Sequence, residues 1–357
     1  MTWGLIGQER AVAALTGALA GGRVAHAYLF VGPERVGKRT LALKLAQALN
    51  CEDDERPCGE CNTCRRIVGG IHADVQTVTV EEAEDDEGMR KGIHVSQIRE
   101  VERATALKPF EGLTRVVIID PAEEMNAAAQ NAFLKTLEEP PPQVVFVLVA
   151  VDESRLLPTI RSRCRRLELR LPSLAEVEAA LLERGVEGEQ ARLLARLSRG
   201  RVGWALEVAD DASLLERREE SLAQARALGS MGVAERLALA ERLAGGFRRD
   251  PEGLLAELAA WRGWWRDVLL VRSGSEDGVA NIDHLAELRE DATRLRRDGV
   301  AGFVRALGEA GRQLQENAQP RLVLETLLLG APAETGQAGA PVGPPGSSAP
   351  TSDLGSP

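Results

Sequence analysis

The nine residues from Gly32 to Thr40 (GPERVGKRT) have the composition of a loop that wraps phosphate. They follow the apolar run Ala27–Val31 and lead into Leu41–Leu49, which is the strand–loop–helix setting such a loop needs. Gly32 and Gly37 let successive backbone N–H groups turn toward phosphate oxygens, and Lys38 supplies a point charge to the outer phosphates. The next position ordinarily carries a Ser or Thr hydroxyl that holds magnesium. Here it is Arg39, with Thr40 beside it as the remaining hydroxyl for a phosphate or metal contact. The run Val116–Ile119 ends in Asp120, where a sheet's carboxyl edge presents the acid that holds the magnesium hydration shell. Hydrolysing proteins of this type place a Glu directly after that acid to polarise water; this chain has Pro121, then Ala122. Glu123 and Glu124 read as solvated carboxylates at a helix start. With both the hydroxyl and the carboxylate missing, hydrolysis by this pocket is not expected. ATP binding stays open, because Gly32, Gly37 and Lys38 remain.

A second constellation is Cys51, Cys58, Cys61 and Cys64, spaced C-x6-C-x2-C-x2-C. Two successive C-x2-C steps put thiolates on a tight knuckle, and Cys51 closes a tetrahedron as fourth ligand. Four thiolates leave no open position for water, so the expected metal is a structural Zn²⁺. Cys164 lies outside the cluster, and His26, His72 and His94 have no ligand or catalytic spacing.

The elements that must carry these groups are legible from periodicity. Ala27–Val31, Val116–Ile119 and Val144–Val151 are nearly continuous in apolar residues, as parallel strands covered on both faces are. Leu167–Leu171 alternates and reads as a last, half-exposed strand. This is an α/β domain over residues 1–171. Ser173 with Glu176 forms a capping box that opens a helical segment to Asp210. Helical pattern resumes over 212–330, with Trp261 and Trp265 sharing a face as a core or subunit-contact stripe. Residues 331–357 are rich in Ala, Pro, Gly and Ser and are expected to be disordered.

At 357 residues two or three domains are expected. No apolar run reaches the length of a membrane span and no secretory signal is visible, so the protein reads as cytoplasmic, where clustered cysteines hold metal. The net charge of −10 argues against strong duplex-DNA binding by this chain alone. Arg99 and Arg103, four apart on a helical pattern, are the candidate DNA contacts.

Several motifs together resemble the clamp loader of bacterial DNA polymerase III, a branch of the AAA+ phosphate-loop proteins. They are Ala25–Phe30 (AHAYLF), the cysteine knuckle inside the sheet domain, Asn126–Pro141 (NAAAQNAFLKTLEEPP) and Pro158–Cys164 (PTIRSRC). The resemblance covers roughly residues 1–330, and the missing hydrolytic groups are similar to its δ′ branch rather than its γ/τ ATPases. It implies a AAA+ domain at 1–171, a helical lid at 172–210 and a helical collar at 212–330 that oligomerises. It also implies partnership with γ/τ ATPase subunits and a clamp-opening δ subunit, and through them with the sliding clamp and primer–template DNA. Carried over, Arg163 is an arginine finger for the neighbouring subunit's ATP, positioned by Ser162 and Cys164; read without the resemblance, it belongs to a solvated basic run. The lid of active relatives carries a γ-phosphate-sensing arginine, and Gly203 stands at that place. The expected function is a non-hydrolysing stator within the DNA polymerase III holoenzyme. The alternatives are an active γ/τ-type ATPase and a zinc-stabilised nucleotide-sensing adaptor outside replication.

Overall fold

The structure, a computed structural model, describes residues 3–85, 88–316 and 318–332. The chain divides into two units, one ending at Ala212 and the other beginning at Ser213. The first is built on a sheet of five parallel strands: β1 (Ala27–Val31), β2 (Val75–Val78), β5 (Arg115–Ile119), β6 (Val144–Ala150) and β7 (Arg165–Glu168), in the spatial order β2-β5-β6-β1-β7. A separate antiparallel ribbon pairs β3 (Glu81–Asp85) with β4 (Gly88–Gly92). No apolar alternation announces that ribbon in the sequence, which is why periodicity missed it.

Strand alternation sorts the apolar runs onto two faces. Leu29, Val117, Ile119, Phe146 and Leu148 point to one side, where α4 (Val95–Thr105) and α5 (Ala127–Glu138) cover them with Ile98, Val101, Ala129, Phe133 and Leu137. Tyr28, Phe30, Val116, Ile118, Val145 and Val147 point to the other, under α1 (Glu9–Ala20) and α2 (Lys38–Asn50). Both faces being covered explains why these strands carry no polar alternation. The unit also contains α3 (Asn62–Val68) and the short α6 (Pro158–Arg161). It closes with α7 (Leu174–Glu183), α8 (Gly188–Ser198) and α9 (Val202–Asp210). The capping box at α7 is formed: Glu176 accepts from Ser173 N at 2.7 Å, and Ser173 Oγ accepts from Glu176 N at 3.3 Å.

The last strand lies two to three residues earlier than Leu167–Leu171. Its register is set by pairing to β1, Tyr28 with Arg165 through Val31 with Glu168, and not by side-chain alternation. As an edge strand it carries exposed Arg165, Arg166 and Glu168, charges that blunt further pairing.

The second unit is helical: α10 (Ser213–Ala227), α11 (Val233–Phe247), α12 (Pro251–Arg272), α13 (Leu285–Arg294), α14 (Arg297–Gln315) and α15 (Pro320–Leu329). The tryptophans of α12 are core: Trp261, Trp264 and Trp265 are fully buried, Trp265 meeting Phe303 edge-on at 5.7 Å. Trp264 donates its indole N–H to Asp291 at 3.0 Å. Ala331 and Pro332 pack on this unit, and the other positions of the expected tail, 333–357, lie outside the described residues.

Arg236 is the unusual group of this unit. Buried in α11, it donates to the carbonyls of Leu228 at 2.9 Å, Met231 at 3.1 Å and Ala331 at 2.9 Å, gathering chain ends that helix termini leave unsatisfied. Burial lowers its pKa. Arg236→Leu therefore orphans these three carbonyls and destabilises this unit by about 3 kcal/mol or more, at about 1–3 kcal/mol for each buried group left without a partner. Chemical denaturation followed by tryptophan fluorescence checks it, since all three α12 indoles report on this core.

Candidate phosphate pocket and surface arginine

The phosphate loop joins β1 to α2. Gly32 is required by close approach, because a Cβ there would come within 2.3 Å of Leu169 O on the neighbouring edge segment. Gly37 adopts φ +98° as the residue before α2, a conformation open to glycine. Lys38 is 7% exposed and donates to the carbonyls of Gly32 and Pro33, each at 2.7 Å. Burial lowers its pKa, opposed by the negative charges of Glu123, Asp120 and Glu34. Asp120 stands at the end of β5 with its pKa raised by burial, against the pull of Arg39 and Lys38. Arg39 and Thr40 are both exposed on the first turn of α2.

Glu123 corrects the sequence reading. It is 7% exposed, not solvated. Its Oε1 accepts from Val151 N at 2.7 Å and from Asp152 N at 3.4 Å, tying the end of β6 to the turn after β5. Its Oε2 is buried with no hydrogen-bond partner among the described residues. A carboxylate therefore does sit within electrostatic reach of Lys38, but bonded to backbone rather than placed directly after Asp120. Sequence spacing alone could not reveal this, because a three-residue 3₁₀ turn at Ala122–Glu124 rotates it inward. Glu124 behaves as expected, facing solvent and paired with Arg155 at 2.7 Å.

Gly203 acquires a physical reason. In α9 its N–H donates to Arg35 O of the phosphate loop at 2.8 Å, and a Cβ there would approach that oxygen to 3.1 Å. The Arg35 side chain pairs with Glu207 one turn on. The helix thus seats directly on the phosphate loop at the position where the resemblance calls for an arginine. Neither contact had a signal in the sequence.

The four cysteines converge. Their sulfurs lie within 4.8 Å of one another, with Cys51–Cys58 at 3.5 Å, Cys58–Cys64 at 3.9 Å and Cys51–Cys61 at 4.0 Å. A tetrahedral ion with metal–sulfur bonds of about 2.3 Å has sulfur–sulfur edges of about 3.8 Å, so the donor set fits zinc. Backbone N–H groups point at the sulfurs, Cys61 N to Cys58 at 3.3 Å and Cys64 N to Cys61 at 3.4 Å. The Cys61 and Glu60 amides bring the Cys58 thiol down to about 7, while burial pushes Cys51 and Cys64 up. Gln47 of α2 donates to Cys64 O at 2.8 Å and fixes the knuckle to the sheet domain.

At the start of β7, Ser162 donates back to Thr159 O at 3.0 Å, and Cys164 packs against the sheet core, where burial pushes its thiol to about 12. Between these anchors Arg163 turns outward. It is about a third exposed, donating from Nη1 to Thr159 O at 3.1 Å and from Nη2 to Glu138 at 2.8 Å. The approach to α6 is held by buried Gln130 of α5, which donates to Arg155 O at 3.1 Å and accepts from Leu157 N at 2.8 Å. Gln130 sits inside the run quoted above, but its bracket role was not read from it. Arg99 and Arg103 are both exposed on α4, whose buried residues include Ile98 and Val101.

The first unit is a five-stranded parallel sheet with a phosphate loop after its first strand and three helices closing it in the chain, the α/β architecture that the resemblance implies. A family model described as "DNA polymerase III, delta subunit" matches residues 7–173. The chain is 29% identical over 326 residues to DNA polymerase III subunit delta′ of Bacillus subtilis, covering 90% of this chain and 95% of that one. It is 41% identical over 184 residues to subunit delta′ of Pseudomonas aeruginosa, 50% of this chain and 53% of the relative. Against subunit tau of Escherichia coli it is 31% identical over 338 residues, 91% of this chain and 50% of tau. The chain thus spans about half the length of the Pseudomonas and Escherichia relatives and nearly all of the Bacillus one. It is similar to DNA polymerase III subunits delta′ and tau along most of its length, with the family-model match confined to its first 173 residues. Among the described residues no helix is long and apolar enough to cross a membrane.

Proposed function

We propose that this chain is the stator of a clamp loader, a subunit whose own pocket does not hydrolyse ATP and which lends Arg163 to the ATP site of an adjacent ATPase subunit. The observation that carries the reading is a pairing of opposites within one sheet. The home pocket has Arg39 and Pro121 where a hydroxyl and a carboxylate are needed, while Arg163 is anchored yet turned toward solvent. Its partners in this reading are γ/τ-type ATPase subunits, a clamp-opening subunit, and through the complex the sliding clamp and primed DNA. Arg99 and Arg103, exposed on one helix face, are the groups offered to the DNA backbone. Cys51, Cys58, Cys61 and Cys64 would hold Zn²⁺, which closes the loop after α2 and leaves no coordination position for chemistry. Residues 172–210 act as the lid and 212–330 as the collar.

In a silent pocket, Lys38→Ala leaves clamp loading by the reconstituted complex at the wild-type rate. A severe loading defect would show that nucleotide at this site matters and would remove the stator reading. One observation favours a second reading, that of an active γ/τ-type ATPase: the phosphate loop keeps Gly32, Gly37 and Lys38, and tau of Escherichia coli aligns along most of the chain. Phosphate release by the purified chain separates the two, since sustained turnover by this subunit alone belongs only to the ATPase.

A further inference from the structure

Arg163 does not float on its long side chain. Its two terminal nitrogens are engaged from different elements, Nη1 by the carbonyl of Thr159 on α6 and Nη2 by the carboxylate of Glu138 at the end of α5. The carbonyl alone would leave the guanidinium free to swing about its bond to Nη1. The second contact, from an independent element, sets its plane.

Glu138 is well placed to do this because α5 is a rigid carrier. Ala129, Phe133 and Leu137 recur every four residues on its inner face, and Phe133 meets Phe146 of β6 edge-on at 5.2 Å. Its first turn is capped by Asn126, whose side chain accepts from Ala129 N at 2.8 Å. Glu138 is the last helical residue, adjacent to buried Leu137, and half-exposed, so its carboxylate reaches the rim while its backbone is tied to the core. A guanidinium has five N–H donors. These two contacts use one hydrogen on each terminal nitrogen, leaving three for an incoming anion.

We propose that Glu138 is a positioning residue for Arg163: it orients the guanidinium toward the neighbouring subunit's triphosphate while leaving three donors free. This rests on Arg163 being the trans finger. Its role is geometric rather than stabilising, because an exposed ion pair of this kind adds little to folding. It is also not chiefly a matter of charge, since the carboxylate lies at a screened surface and only its acceptor oxygen touches Arg163.

The test uses the full clamp-loader complex reconstituted with ATPase subunits and this chain, as wild type, Glu138→Ala, Glu138→Gln, Arg163→Ala and the Glu138→Ala/Arg163→Ala double variant. ATP turnover at the shared site is followed in single-turnover mode, and the ATP concentration dependence is followed in the steady state. Displacing a catalytic group by about 1 Å costs on the order of 10²-fold, so Glu138→Ala is expected to slow turnover by about 10- to 100-fold with KM for ATP unchanged. Glu138→Gln, which keeps the acceptor oxygen without the charge, is expected to restore nearly the wild-type rate. The double variant is expected to be no slower than Arg163→Ala. Wild-type turnover in Glu138→Ala, alongside a slowed Arg163→Ala, would overturn the positioning role while sparing the finger. Faster turnover in Glu138→Ala would overturn it too, by making the carboxylate a competitor of phosphate. If Arg163→Ala itself turns over normally, the finger assignment fails, which is a distinct result from either.

Discussion

Replacing Arg163 with alanine is expected to slow ATP hydrolysis at the site shared with the adjacent subunit by about 10³-fold or more, the usual consequence of removing a finger from a phosphoryl-transfer site. The magnitude follows from where charge develops. As the γ-phosphoryl group leaves, negative charge spreads over oxygens in a water-poor site, and a preorganised cation stabilises it without reorganisation. Preorganisation is what this structure supplies: Ser162 fastened to the turn of α6, Cys164 seated in the core, and the guanidinium between them held by a carbonyl and a carboxylate. Folding and assembly should be spared, because the side chain lies at the rim and contributes only surface contacts. Arg163→Lys should recover little, since an ammonium on a flexible stem cannot keep two anchors and still present a fork to phosphate. Single-turnover phosphate release from the reconstituted complex measures the effect. A rate equal to that of the wild-type complex would remove the finger from the account and leave the Arg161–Arg166 segment as a solvated basic run.

Stripping metal from the cysteine knuckle is the second large effect. A structural Cys₄ zinc site contributes about 10–16 kcal/mol of apparent binding free energy at neutral pH, more than a small loop can otherwise recover. The segment from Cys51 to Val68 has few alternatives. Its loop residues Glu52–Arg56 are exposed, and its apolar anchors are limited to Cys51, Cys64 and Ile67. Burial disfavours thiolates at Cys51 and Cys64, so without a cation beside them these groups protonate and the tetrahedron loosens. Purified protein should contain one zinc per chain by mass spectrometry. Chelation or Cys61→Ser should abolish hydrogen-exchange protection across α3 while leaving the helical second unit protected. A metal-free preparation that keeps α3 protected would show that sulfur packing alone holds the knuckle.

The phosphate pocket is laced together by contacts among its own residues. Lys38 bonds to its own loop, Glu123 braces the strand ends, and Arg35 is clasped by α9 through Gly203 and Glu207. Those three residues are engaged with the module itself, while Arg39 and Thr40 remain exposed.

The sequence by itself determined β1, β5 and β6, the phosphate loop, the cysteine tetrad and the capped start of α7. These signals are local: continuous apolar runs, glycines at fixed offsets, ligand spacing and a cap three residues from its partner. Tertiary structure alone decided that Glu123 is buried, that β7 begins at Arg165, that Gly203 packs on Arg35 and that Glu138 meets Arg163. In each of those cases the deciding partner comes from a different element, so the outcome depends on how elements pack and not on neighbours along the chain. Spacing can name a residue's chemistry, but what that residue faces is set by the surface brought against it.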